Sequence, residues 1–170
     1  QSGKAFTSEL TSTYAEYIFA FYNINPDNDG ASFQFNGSTD GGSSYDVDKT
    51  TTYFYAYHST GDATALSYRP AGDLRNAGSS DNAGTVYQQL VGDPGNDADA
   101  GVSGIMHLFN PASTVYAKLF ISECSAHHTD DSAYHERQSG YLNTTSAIDA
   151  INFQVSSGNF DGEIKLWGVK

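Results

Sequence analysis

The chain has one cysteine, Cys124, in 170 residues, so it can form no intramolecular disulfide, and it lacks the paired cysteines of a thiolate zinc site. Basic residues are also scarce. Eight Lys and Arg stand against twenty Asp and Glu, a formal charge of -12. A protein that neutralises phosphates needs the opposite balance, so nucleic acid is excluded as a partner. No apolar run approaches the roughly 20 residues of a spanning helix, and no charged, apolar and small-residue succession marks a signal peptide. Membrane insertion is therefore not expected. Charged residues of either sign make up only 16%, against about 25% in an average domain, which leaves Ser, Thr, Asn, Asp and Gly to build the surface. Leu, Ile, Val and Phe together make less than a fifth of the chain, a level that with this charge approaches the composition of disordered proteins.

Twelve Tyr, ten Phe and one Trp argue for a folded chain whose core is built from aromatic rings. Its length suits one domain over residues 1–170. The first residue is Gln1, so a short N-terminal arm is expected to precede it.

Alternation with period two recurs throughout, without a convincing 3.6-residue period, and predicts a nearly all-β chain. In 14–22, Tyr17, Phe19 and Phe21 share one parity while Ile18, Ala20 and Tyr22 share the other, as in a central strand. Phe33 and Phe35 alternate with polar residues, and Tyr53, Tyr55 and Tyr57 oppose Phe54 and Ala56. Further strands are expected over 65–69, 85–91, 102–109, 113–122, 148–155 and 163–169. Between them lie turn-forming clusters such as Asn25 with Pro26, Asp40 with Gly41 and Gly42, Asn76 to Gly78, and Asp161 with Gly162. Eight to ten antiparallel strands so spaced predict a jelly-roll-like β-sandwich. Residues 123–141 read as a long loop with at most a short strand. A tight reversal over 158–162 reads as a central hairpin joining 151–155 to 163–169, with Trp167 on a partly buried face turned towards a neighbouring subunit.

Candidate chemistry is sparse. His127, His128, Asp130, Asp131, His135 and Glu136 cluster in sequence, but His127 and His135 are eight residues apart, a spacing of no familiar zinc or iron site. No metal is expected; were a calcium ion held, Asp93, Asp97 and Asp99 in the 93–101 loop would offer the hard oxygen ligands. That loop lacks the Glu that closes an EF-hand, and Asp and Asn are also ordinary turn residues. No Gly-x-Ser-x-Gly elbow is present, and no acid lies in an apolar context that would raise its pKa for general-acid work. His128 and an adjacent Asp with Cys124 only imitate a thiol nucleophile and its base. Asn36-Gly-Ser and Asn143-Thr-Thr match the glycosylation pattern, which has meaning only in a eukaryotic secretory host. Neither an enzyme nor a cofactor is expected. Tyr53, Tyr55, Tyr57, His127, His128 and Trp167 remain as candidates for contact with a subunit or partner.

Seven strings stand out: 14–26 (YAEYIFAFYNINP), 33–37 (FQFNG), 50–54 (TTTYF), 92–99 (GDPGNDAD), 107–111 (HLFNP), 140–148 (GYLNTTSAI) and 156–168 (SSGNFDGEIKLWG). Along nearly its whole length the chain resembles a group of small structural proteins of tailed phages from marine and cyanobacterial hosts. Those chains end in a similar Ser-Gly-Asn and Ile-Lys-Leu-Tyr-Gly motif, with Trp167 here in place of the usual Tyr. The resemblance implies a virion-surface component: a capsid decoration protein, or alternatively a receptor- or carbohydrate-binding head or tail fibre domain. It implies association with itself, expected as a trimer, and with the major capsid protein or other virion proteins, and in the alternative a host surface glycan. It transfers no catalytic residue.

Overall fold

The computed structural model describes residues 1–75 and 87–170. The predicted turn at Asn76 to Gly78 and the first residues of the strand expected over 85–91 lie outside them. The described residues form eleven strands and no helix: β1 (Gly3–Phe6), β2 (Glu16–Pro26), β3 (Phe33–Ser38), β4 (Lys49–His58), β5 (Thr64–Tyr68), β6 (Gln88–Val91), β7 (Val102–Phe109), β8 (Lys118–His127), β9 (Ala133–Leu142), β10 (Ala150–Val155) and β11 (Phe160–Val169). All pairings are antiparallel. One sheet has the order β1-β10-β3-β6 and the other β11-β2-β7-β8-β9-β4-β5. The two enclose the core as a β-sandwich.

The core is aromatic, as the composition requires. Phe153 on β10 lies at its centre, with the rings of Phe6, Phe19, Phe21, Phe33 and Phe35 all within 6.3 Å of its own, mostly edge to face or tilted. Tyr17, Phe19 and Phe21 point inward from β2, as their parity demands, and Ile151, Phe153 and Val155 point inward from β10. Gly104 on β7 is dictated by close approach: a Cβ there would lie 2.3 Å from the Glu123 carbonyl on β8.

Two predicted features are overturned. Residues 123–141 are not a loop; they contain the second half of β8 and nearly all of β9, joined by a turn in which Asp131 takes φ 59°. Between Tyr134 and Leu142 the inward positions of β9 are Glu136, Gln138 and Gly140, so most of the strand lacks the apolar alternation that reveals its neighbours. The segment 156–159 is not a hairpin turn either. Val155 pairs with Phe33 in one sheet and Phe160 with Pro26 in the other, so the chain crosses between sheets. Phe160 packs into the core 6.0 Å from Phe33, which carries the chain over the sandwich edge. Accordingly β11 is an edge strand, not a central one.

The polar interior of β9 has a structural use. Strand β6 ends its sheet, and an edge strand leaves unpaired backbone groups. Side chains of the facing sheet satisfy them. Gln138 Nε2 donates to the Leu90 carbonyl at 2.9 Å, and the Gly92 N–H donates to Tyr53 Oη and Glu136 Oε2, both at 3.1 Å. Buried Lys49 likewise donates to Asn36 Oδ1 and the Val47 carbonyl.

Candidate assembly face

The seven-stranded sheet turns its odd or even positions outward, strand by strand, and what they carry departs from the rest of the surface. Tyr22, Phe54, Leu66, Tyr68, Ile105, Leu119, Ile121, Trp167 and Val169 all point outward from it. These are nine of the eleven large hydrophobic side chains exposed among the described residues; the other two, Val115 and Tyr116, precede β8. The register aligns Trp167, Ile18, His107, Ile121 and Ser139 in one row across five strands, and Lys165, Ala20, Ile105, Glu123, Arg137 and Phe54 in the next. Ile121, on the middle strand, is 47% exposed and Trp167 46%. Single exposed hydrophobic residues are ordinary on a protein surface, whereas their concentration on one face marks a candidate contact surface.

Between the two rows the small side chain of Ser139 leaves a concavity of about 330 Å³ walled by Phe54, Ile105, His107, Ile121 and Arg137. The charges of this face are paired with one another. Glu123 bonds both His135 and Arg137 at 3.1 Å, Glu163 bonds Lys165 at 3.2 Å, and Glu16 bonds His107. Lys165 also lies over the Tyr22 ring. Outward positions of the other sheet present Gln34, Gln89, Asn152 and Gln154 instead. Thus one outer face is apolar and the other is a layer of amides.

The remaining candidates are divided between the two sides of the sheet. Tyr53, Tyr55 and Tyr57 share the inner face, as their spacing predicts. Tyr53 is buried, whereas Tyr55 and Tyr57 are half-buried and stack on Tyr134 of β9 at 5.4 and 5.2 Å. His128 continues the stack, 4.3 Å from Tyr134, while the Arg69 guanidinium covers Tyr53 and Tyr55. Gly92 lies against that guanidinium with no room for a Cβ. Tyr134 and Tyr141, both on β9, are strand residues rather than loop residues. His127 points the other way from His128 and meets Asp131 at 3.3 Å.

The three calcium candidates are dispersed. The Asp93 carboxylate faces Arg69 at 3.3 Å and His128 at 3.9 Å. The Asp97 carbonyl accepts bonds from Asn25 and from the Ala100 N–H, and Asp99 lines a separate polar groove of about 660 Å³ beside Asn23, His127 and Asp131. Among the described residues no three His, Cys, Asp or Glu side chains converge as a metal site requires.

Two buried groups bear on catalysis. Cys124 is enclosed in the core, and burial pushes its thiol up to about 12, which removes the thiolate a nucleophile needs. Glu136 corrects the reading that no acid lies in a setting that raises its pKa. It is fully buried, its Oε1 has no hydrogen-bond partner among the described residues, and desolvation raises its pKa to about 8, against which the Gly92 N–H acts only in part. The sequence signal for it was the inward parity of position 136 once β9 is recognised. Asn36, in the first glycosylation-like triplet, is fully buried and donates to the Tyr45 carbonyl.

The described residues define an all-β sandwich with exposed apolar side chains concentrated on one outer sheet face. The chain matches no protein-family model, no curated protein and no solved structure.

Proposed function

We propose that the protein is a non-enzymatic structural component of the bacteriophage virion surface, a capsid decoration protein that docks through the outer face of its seven-stranded sheet. The observation that carries docking is the concentration of nine exposed large hydrophobic side chains on that one face. The phage setting rests on the resemblance of the seven strings described above. A sparsely charged, acidic exterior rich in Ser, Thr and Asn keeps densely displayed copies soluble and limits adhesion between particles. Partners are other virion proteins and further copies of the chain. Mass spectrometry of purified particles, with occupancy counted against the major capsid protein, tests the proposal. Lattice-related stoichiometry supports it, and presence only in the cytosol of infected cells overturns it.

The tyrosine stack favours the second reading, a glycan-binding fibre domain. Tyr55, Tyr57 and Tyr134 lie half-exposed beside Arg69 and Asp93, a mixture of ring edges, hydroxyls and charge suited to a saccharide. Binding of the isolated protein to host-surface glycans, lost in Tyr134→Ala, distinguishes this reading from decoration.

A further inference from the structure

We infer that the occupant of the apolar face is a second copy of this chain, and that two copies pack seven-stranded sheet against seven-stranded sheet about a two-fold axis near Ile121. The inference rests on the docking reading above and supplies its partner.

Charge selects the partner. Each chain carries a formal charge of -12, so two copies repel over most of their surfaces. Across the outward strand positions of this face, four carboxylates (Glu16, Glu123, Asp161 and Glu163) meet two cations (Arg137 and Lys165), a balance of only -2, and all but Asp161, which lies at the end of the edge strand β11, have an opposite charge or an imidazole within reach. Here a copy can approach its like with little electrostatic cost. Among the described residues, the amide-rich outer face of the other sheet has no comparable set of exposed large hydrophobic side chains to bury.

Area agrees. Seven strands at about 4.8 Å spacing, with four outward rows along their length, give a face of about 30 by 25 Å, or roughly 750 Å² per copy, the extent of a standard stable interface. Twisted sheets pack face to face with their strands some 30° apart, so the same geometry that closes the core serves a second layer. Symmetry sets the number. The order β11-β2-β7-β8-β9-β4-β5 places β8 in the middle, and Ile121, next to the midpoint of its outward side, is the exposed apolar residue nearest the centre of the sheet. A patch that meets itself about a two-fold closes at two copies, whereas a trimer needs two different complementary patches. The concavity beside Ser139, one strand over from Ile121 in the same row, receives an apolar side chain of the opposing copy.

Sedimentation equilibrium of the full chain across 1–100 µM loading tests this, with Ile121→Arg and Phe54→Arg as face variants and Gln154→Arg as the control on the other sheet. The wild type and Gln154→Arg are expected at twice 18.2 kDa, and both face variants at the single mass with unchanged circular dichroism. A wild type that stays monomeric throughout overturns the two-fold pair, as does a trimeric mass or a dimer that survives Ile121→Arg. If a monomeric wild type is nonetheless found on purified particles, decoration stands and only the identity of the occupant fails. If the dimer forms but particles lack the protein, the pairing stands and decoration fails.

Discussion

Replacing Glu136 with Gln should remove a large pH dependence of stability between pH 4.5 and 8. The carboxyl is fully buried, and its pKa is raised to about 8 from the ordinary 4.5. Below pH 4.5 the group is protonated in both folded and unfolded chains and contributes no pH dependence. Between pH 4.5 and 8 the unfolded chain releases the proton and the folded chain keeps it, so stability falls as pH rises. Above 8 both forms are ionised and the loss is complete. Each pH unit in that window is worth about 1.4 kcal/mol, which gives about 3 kcal/mol lost by pH 7 and about 5 kcal/mol by pH 8. Gln keeps an oxygen for the Gly92 N–H but brings an amide group to the place of the unpartnered Oε1, at a cost of about 1–3 kcal/mol at every pH.

The variant should therefore be the less stable protein at pH 4.5 and the more stable one at pH 8. Lys49, lowered to about 7 from 10.5 by burial, acts in the opposite direction, adding stability as pH rises from 7 to 10.5. It acts equally in both proteins and cancels in the difference. Thermal melting followed by far-ultraviolet circular dichroism at pH 4.5, 6, 7 and 8 measures this directly. At roughly 2–4 °C per kcal/mol for a chain of this size, the difference in Tm should swing by about 10 °C or more across the series. Parallel Tm profiles would refute the reasoning and place water or a cation at the carboxyl.

Phe153→Ala removes the ring that five others contact and should cost about 3–5 kcal/mol in urea unfolding; a loss under 1 kcal/mol would mean that the core collapses into the space. Gly104→Ala should cost about 1–3 kcal/mol by driving a Cβ against the β8 backbone, and an unchanged midpoint would show that the sheet yields there. Cys124 should resist alkylation by iodoacetamide at pH 8 in the native protein and react at the rate of a free thiol in 8 M urea; rapid native labelling would contradict its burial.

Much of the sandwich was legible because alternating apolar side chains report directly on which face of a strand is buried. The inward set of Tyr17, Phe19 and Phe21, the shared face of Tyr53, Tyr55 and Tyr57, and the outward position of Trp167 all follow from period two. β9 was hidden for a matching reason: Glu136 and Gln138 point inward to satisfy another strand's edge, so polarity no longer marks the solvent side. β1 is only four residues long, and Phe6 is its one buried side chain. The hairpin over 158–162 failed because turn residues specify a change of direction without specifying which strand receives the chain next.

Residue order alone determined that this chain is built of extended segments around phenylalanine, because local alternation and composition are properties of neighbours in sequence. Only the tertiary structure decided which segments lie side by side. Trp167, Ile18, Ile105, Ile121 and Phe54 come from five separate strands and become one surface through long-range hydrogen-bond register. The same long-range packing isolated the Glu136 carboxyl from water, since burial depends on what the opposing sheet covers rather than on adjacent residues.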